Sequence, residues 1–390
     1  MKLVIVEALT SGLGLGLVKS ALKETEQVYF LTRDINRYEF DANFDLLKNP
    51  PTNLTIVKVE TEDSQSIVKK ANELDITNET WICPIEAFFP ALAEAKQQGI
   101  NWNPAKNILA LYDKEEQRKV TQELQLPKPK FFVGKAADLD FFPAVAKPTS
   151  GAGSVGVSLI INKENTKELN SNQTYLFEEF LIGQLVSFEV LRTQGETHLL
   201  GISDRTMGRL PYFIGKSISF PTNIDSEFEK SAMDQINAIL DEIELNNGAA
   251  HIEYMLTKNG PRLIEINPRL GGMNLAGLMS IAYDTNIWDI VLAAYLGKEI
   301  QLPEIKKGAS EVPIQAEKTG TIIGITGVEL AREIPGFLGI RDRTKNGGMV
   351  IKDIKDAKAR YVSVWTEAET TLEARNRAEA AASMINPIYK

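Results

Sequence analysis

The residues best equipped for chemistry lie close together. His251-Ile252-Glu253-Tyr254-Met255-Leu256-Thr257 is followed by Lys258-Asn259-Gly260-Pro261, then by Arg262-Leu263-Ile264-Glu265-Ile266-Asn267-Pro268-Arg269. Polar and apolar residues alternate on both flanks and turn formers fill the link, the pattern of a β-hairpin. A three-residue loop from Lys258 to Gly260, with Gly260 left-handed, sets Glu253 opposite Glu265 and His251 opposite Asn267. Ile252, Tyr254, Ile264 and Ile266 then form the opposite, core-facing surface, whereas a two-residue loop would set Glu253 across from Ile266. Two carboxylates, an amide oxygen and an imidazole on one face suit Mg²⁺ carried by a phosphate substrate. A solvated hairpin face is the alternative, since acids commonly face water. The following residues tip the choice: Arg269 supplies a cation, and Gly271 and Gly272 let backbone N–H groups approach an anion.

Other charged and Gly-rich segments could serve the same phosphate. Ser150-Gly151-Ala152-Gly153-Ser154-Val155-Gly156 follows a strand over Ala144 to Pro148, and its N–H groups can cover an anion that Lys147 also reaches. No Gly-Lys-Ser/Thr closes it, so it is not a Walker A loop. Glu178-Glu179 ends an apolar strand, where a carboxylate or carbonyl can accept an adenine amino group; simple solvation of the strand end is the alternative. Asp204 to Pro211 reads as irregular, with Arg205 and Arg209 available to a substrate carboxylate.

The elements that hold these groups follow a recognisable order. The first hundred residues alternate strands (Lys2 to Glu7, Gln27 to Thr32, Leu54 to Val59, Thr80 to Ile85) with helices, which implies a parallel sheet. Gly12-Leu13-Gly14-Leu15-Gly16 after the first strand is a weak dinucleotide signal, because it is G-x-G-x-G and no acidic residue ends the second strand in the right place. A tight turn lining a substrate pocket is the better reading. A polar helix spans Asp113 to Leu124, and Pro127-Lys128-Pro129 stops it. Further strands are expected at 131–133, 175–180, 185–192 and 198–203, with helices at 226–243 and 287–296. Beyond Gly297, strands at 317–324 and 361–365 and a helix from Ala368 to Ile385 read as a small α/β lid.

Composition narrows the class. A chain of 390 residues exceeds one ordinary core. No apolar run approaches the ~20 residues that span a bilayer, and the short apolar start turns acidic at Glu7, unlike a secretory signal. A cytoplasmic protein without membrane or nucleic-acid partners is expected, given the net charge of −9. A single cysteine, Cys83, in an apolar strand excludes an internal disulfide, and two histidines make a zinc cluster implausible.

Taken in order, Asp113-Lys114 with Arg118, Lys147 before the Gly-rich flap, Glu178-Glu179-Phe180-Leu181, and Glu253 with Glu265-x-Asn267-x-Arg269 resemble the ATP-grasp superfamily of carboxylate-amine ligases. The resemblance covers roughly residues 1 to 300. His251-Ile252-Glu253, Pro261 to Gly272 and Pro211-Tyr212-Phe213 look most like the L-amino acid ligase (dipeptide synthetase) branch. The resemblance implies an α/β ATP-grasp fold in four parts: an N-terminal parallel-sheet domain (1–105), a two-part nucleotide-binding region (106–178 with the flap and 179–300 with the metal and substrate site), and a C-terminal lid (301–390).

It also implies roles. Lys114, Lys147 and Ser154 would contact ATP phosphates, while Glu178, Glu179 and the backbone of Phe180 and Leu181 would hold adenine. Glu253, Glu265 and Asn267 would bind Mg²⁺, with Mn²⁺ as a substitute. Arg269 would face the transferring phosphate, and Lys147 and His251 would join it as catalytic groups. Arg205, Arg209, Gly271, Gly272 and Asn274 would line the substrate site. Two positions depart from the family pattern: Leu185 stands where many members have a ribose-binding Glu, leaving Glu189 as the substitute, and Gly215 stands where dipeptide synthetases commonly have Glu.

The expected activity is ATP-dependent amide formation through an acylphosphate, from small carboxylate and amine substrates, and a homodimer is compatible with it. Phosphoryl transfer needs positioning and charge neutralisation more than a nucleophilic side chain, which accords with the residues supplied. Rival readings are a purine-pathway ligase, a biotin carboxylase-like subunit, and a catalytically silent ATP-binding module; an NAD-dependent dehydrogenase is the weakest.

Overall fold

Residues 1–10, 14–149, 156–355 and 357–390 are described by a computed structural model. Strands β1 (Lys2–Val6), β2 (Gln27–Thr32), β3 (Leu54–Lys58) and β4 (Thr80–Ile82) form a parallel sheet in the order β3-β2-β1-β4. The near-continuous apolar strands suit a parallel sheet buried on both faces. The helix Leu15–Glu24 follows the Gly-rich turn, of which Gly12 and Leu13 lie outside the described residues. A Cβ on Gly16 would approach the Trp288 ring to 2.2 Å, so this glycine allows helix Leu15–Glu24 to pack on helix Ile287–Tyr295. Cys83 is buried, as its apolar surroundings imply, and burial pushes its thiol up.

Strands β5 (Phe131–Gly134), β6 (Ala144–Pro148), β7 (Ser158–Ile160) and β8 (Tyr175–Glu179) make a small antiparallel sheet in the order β5-β8-β6-β7. Residues 150–155 of the flap, Ser154 among them, lie outside the described residues. Helix Lys114–Glu123 precedes this sheet; Asp113 caps it by accepting from the Glu115 N–H at 2.7 Å, and Lys114 N–H donates to the Thr149 carbonyl at 3.0 Å. The helix start and the end of β6 are thereby held together, which places Lys114 beside the strand that carries Lys147.

The large sheet contains β9 (Gln184–Thr193), β10 (Glu196–Met207), β11 (Gly215–Phe220), β12 (Gly248–Thr257) and β13 (Gly260–Asn267). The C-terminal region adds β14 (Gly308–Gln315), β15 (Gly320–Thr326), β16 (Phe337–Asp342), β17 (Met349–Ile351), β18 (Arg360–Ala368) and β19 (Asn386–Tyr389). The eight-stranded order is β13-β12-β9-β10-β11-β14-β18-β16, and β17-β15-β19 form a separate small sheet. The C-terminal region is bonded into the large sheet: β14 pairs directly with β11, and β18 and β16 continue it. The final helix is also shorter than expected, Thr371–Ser383, because Ala368 still belongs to β18.

Core packing ties the parts together. Phe188, Ile252, Tyr254 and Leu263 on one face of the large sheet cluster with Trp81, Leu92, Trp102 and Ile236. Leu191, Ala249 and Ile218 join helices Leu275–Tyr283 and Ile287–Tyr295 and the other side of the N-terminal sheet. Among the described residues, no helix is long and apolar enough to cross a membrane.

Candidate active site

The β12–β13 hairpin pairs Glu253 with Glu265 and His251 with Asn267, as the alternation implies. Its loop differs from expectation. Thr257 pairs with Gly260, so only Lys258 and Asn259 turn the chain, and a bulge shifts the register between Glu253 and Tyr254. Tyr254 then faces Leu263, and Leu263 rather than Ile264 enters the core. The bulge supplies the one-residue offset that a third loop residue would have supplied. Helix Lys114–Glu123 covers the outer edge: Gln117 donates to the Ile266 carbonyl at 2.9 Å and accepts from the Ile266 N–H at 3.0 Å, while Arg118 donates to the Ile264 carbonyl at 2.5 Å. An otherwise bare edge strand is thus satisfied by side chains.

On the polar face each carboxylate meets a cation. Arg205 pairs with Glu253, and Lys114 Nζ lies 3.2 Å from Glu265. Arg205 belongs to β10, so its expected place in an irregular substrate loop is corrected; Arg209 is exposed beyond that strand. Burial opposes the charge on Glu253, but Arg205 and His251 outweigh it and hold the carboxyl far below its usual range. Lys147 contributes to the same field. Among the described residues, no group of three or more His, Cys, Asp and Glu side chains has metal-holding geometry. The donor set still fits Mg²⁺, because this ion takes one or two carboxylates and completes its shell with water and phosphate oxygens; Glu253 and Glu265 would supply the carboxylates and Asn267 a third oxygen.

Behind this face lies a buried pair that sequence reasoning placed differently. Glu189 is 0% exposed and pairs with His251 Nδ1; it also accepts from Ser187 at 3.1 Å and from the Gly271 N–H at 3.0 Å. A ribose hydroxyl cannot reach it, so its role as the substitute for Leu185 is corrected. His251 Nε2 lies 3.2 Å from Glu253. Burial alone would lower the imidazole's pKa, yet Glu189 and Glu253 overcome it and raise the value to about 9. His251 is therefore a buried imidazolium that braces Glu253.

Glu178 is 2% exposed, not a solvated strand end. Arg118 Nε donates to one carboxylate oxygen and Lys147 Nζ lies 2.5 Å from the other. Burial raises the carboxyl's pKa, but the two cations lower it further than burial lifts it. The side chain fixes Lys147, which corrects its assignment to adenine. Glu179 accepts from the Lys130 N–H at 3.1 Å. Phe180 N–H donates to the Pro143 carbonyl, and its ring tilts against Phe213 at 6.3 Å, with Leu181 half-buried beside it.

Arg269 is nine-tenths buried and bound through Nε and Nη2 to Glu86, with 2.8 Å for the second bond; Nη1 donates to the Leu270 carbonyl at 2.9 Å. These bonds fix the guanidinium plane and leave one N–H on each of Nη1 and Nη2. Gly271 spends its N–H on Glu189, and a Cβ there would meet His251 Nδ1 at 2.7 Å. Gly272 faces open space. Asn274 is buried and its N–H donates to Glu311 at 3.0 Å. Glu86, Gln117, Ser187 and Glu311 escaped the sequence reading. Only Glu311 carried any signal, as an acid inside the apolar Ala309 to Ile314 run.

The family of ATP-grasp domains matches residues 111–273, and that of L-amino acid ligase C-terminal domain 2 matches residues 313–390. Alanine–anticapsin ligase of Bacillus subtilis (strain 168) is 28% identical over 195 residues, covering 42% of this chain and 40% of that protein. Carnosine synthase 1 of Homo sapiens is 29% identical over 173 residues, covering 40% of this chain and 21% of the relative. The chain spans between 18% and 46% of the length of the first curated relatives it matches. The crystal structure of an L-amino acid ligase from Bacillus licheniformis superposes with a TM-score of 0.81 at 18% identity, covering 100% of this chain and 98% of that one.

Proposed function

From the premise that this chain belongs to the ATP-grasp superfamily and lies close to the L-amino acid ligases, we propose that it is an ATP-dependent carboxylate-amine ligase that forms an amide bond through an acylphosphate. The observation that carries this reading is the pairing of Glu253 with Glu265 on one sheet face, within the field of Lys147. Mg²⁺ bound by Glu253, Glu265 and Asn267 would neutralise phosphate charge. The chain's own residues do the rest. Lys147, pinned by Glu178, and Lys114 present fixed cations to an incoming triphosphate. Arg118 holds Glu178 from below, so Lys147 is oriented before substrate arrives. His251 keeps Glu253 ionised and correctly turned. In the reaction, a carboxylate oxygen of one substrate attacks the γ-phosphorus and ADP leaves; the amine of the second then attacks the acyl carbon, phosphate leaves, and the amine's proton passes to solvent or phosphate. No side-chain nucleophile is required.

The test is a pairwise panel of amino acids and small carboxylates with Mg-ATP, scored for ADP and for amide products by mass spectrometry. ADP release that needs both a carboxylate and an amine supports the reading. Bicarbonate-dependent cleavage without an amine would replace it with a carboxylase.

A further inference from the structure

The parallel sheet has two ends, and the site above uses one of them. At its carboxyl end β4 leads through Cys83 to Glu86, the partner of Arg269, which is the end where open α/β sheets bind their substrates. At the amino end, where Thr80 begins β4, lies a cavity of about 320 Å³. That volume suits a small ligand. Trp102 bridges to Trp81, so the connector after helix Phe89–Gln97 runs beside β4 and closes one wall. Helix Ile287–Tyr295 contributes Tyr295, whose ring lies against Gly248; a Cβ there would meet it at 3.0 Å. Two buried residues of the lining belong to the hairpin region: Ala249, two before His251, and Pro268, between Asn267 and Arg269. The cavity therefore backs onto the segment that carries the metal ligands without sharing their polar face.

Its lining has a definite polarity. The rings of Trp81, Phe89, Trp102 and Tyr295 offer planar apolar surface, and Phe89 and Trp102 already tilt together at 5.5 Å. The polar groups are mostly donors. Trp102 is 4% exposed, and its indole N–H donates to no group among the described residues, nor is it one of the enclosed unpartnered atoms. Asn247 accepts from the Gln194 N–H at 2.9 Å, which orients its amide, while its Nδ2 donates to nothing among the described residues. Lys298 adds a cation on a fixed backbone: its N–H donates to the Ala293 carbonyl at 2.9 Å and its carbonyl accepts from Thr193 at 2.7 Å. The ammonium pairs with Glu24 at 2.8 Å, where both side chains are about half exposed. A surface pair of this kind is weak and yields to a better-enclosed anion. Among the described residues, no aspartate or glutamate lines the cavity. Rings within, N–H donors and an ammonium at the rim, and no acid select a planar apolar body that ends in an anion.

We infer that this cavity seats a small aromatic carboxylate, separate from the substrates, and that its occupancy bears on the metal strand through Pro268. The ring lies among Trp81, Trp102 and Tyr295, and the carboxylate meets Lys298, with the Trp102 and Asn247 N–H groups as its further donors. Pro268 is bonded on one side to Asn267 and on the other to Arg269, whose guanidinium is tied to Glu86. A ring pressed on Pro268 therefore acts on two groups of the site at once. The seat stands apart from the ligase reading above; only the link to the metal strand rests on that reading.

The test titrates phenylacetate, phenylacetamide and inorganic phosphate into the full chain by calorimetry, with tryptophan fluorescence as a second readout. Wild type should bind phenylacetate about tenfold more tightly than phenylacetamide, the ratio for one charge-assisted contact. Lys298→Gln, at an exposed position, should erase that ratio. Trp102→Phe keeps a ring but removes the N–H, and should weaken the acid by about threefold to tenfold. Leu296→Trp fills the cavity from its half-buried wall and should abolish binding, with a melting temperature near that of wild type showing that the chain is folded. No saturable binding of phenylacetate at millimolar concentration overturns the seat. So does binding that survives Leu296→Trp in a folded chain, or a preference for phosphate over phenylacetate. For the link, saturating phenylacetate should change the affinity for Mg-ADP by about fivefold or more in wild type and leave it unchanged in Leu296→Trp. An unchanged affinity in wild type overturns the link, and a chain that binds no Mg-ADP sinks the nucleotide reading and the link together, with the seat still decided by the first titration.

Discussion

Glu265 separates chemistry from folding. Its side chain is partly exposed and its ion pair is with Lys114, so it contributes little packing. Glu265→Ala is expected to lower Mg²⁺-dependent ADP release by about a hundredfold or more while changing unfolding free energy by less than about 1 kcal/mol. Paired magnesium titrations and urea melts check this, and an unchanged magnesium requirement would remove Glu265 from the metal set. His251 makes the opposite kind of prediction, because it is buried. Its pKa in the folded protein, about 9, lies above the unfolded value near 6.5. The stabilisation from its charged form is therefore fully present below about pH 6.5 and is lost as pH rises through about 9. In metal-free protein the stability gap between wild type and His251→Asn should narrow over that window, by an amount on the order of 3 kcal/mol. A gap that stays constant from pH 6 to 10 would show that the imidazole is neutral throughout.

At the scale of elements, the hairpin is positioned by a helix outside the sheet. Gln117 satisfies both backbone groups of Ile266, one residue from Glu265 and one from Asn267. Gln117→Leu leaves a buried N–H and a buried carbonyl unpaired, which should cost roughly 1–3 kcal/mol and raise the magnesium concentration needed for activity. A melting temperature equal to wild type would mean that β13 holds its place without the helix. The same elements show what the sequence could reveal. Strict alternation made the pairing of Glu253 with Glu265 legible, since period two puts both on the face opposite Ile252 and Ile266. The bulge was not legible, because Arg118 binds the Ile264 carbonyl of the displaced residue, and that contact spans 146 residues. Glu86 and Arg269 meet across 183 residues. β14 carries Ser310 and Glu311 within an otherwise mostly apolar run that includes a proline, and these two find partners only once the chain has folded: Ser310 pairs with Ser219 and Glu311 accepts from the Asn274 N–H. Local patterns show faces; they do not show which distant group satisfies a buried polar atom.

For the whole molecule, the decisive feature is that the C-terminal region completes a sheet. Residues after Gly297 read as a small α/β lid, and in the fold β14 pairs with β11 over Ile218 to Phe220, while Ala309 belongs to the core that links helices Leu275–Tyr283 and Ile287–Tyr295 to the N-terminal strands. Removing residues 308–390 would strip β11 of its neighbour and expose an apolar edge to solvent, a template for aggregation. It would also remove Glu311, the acceptor for Asn274, and with it the fixed entry to the loop after Arg269. A fragment ending at residue 307 is therefore expected to lose cooperative thermal unfolding and to aggregate, whereas loss of a true lid would leave an intact, inactive core. Calorimetry and size-exclusion chromatography of the fragment distinguish the two. A monodisperse fragment with a sharp transition would show that the nucleotide-binding region folds alone. The aggregation outcome would mean that the strands carrying Glu253 and Glu265 and the C-terminal strands β14, β18 and β16 form as one cooperative sheet, which fixes the polar face of the hairpin before any substrate binds.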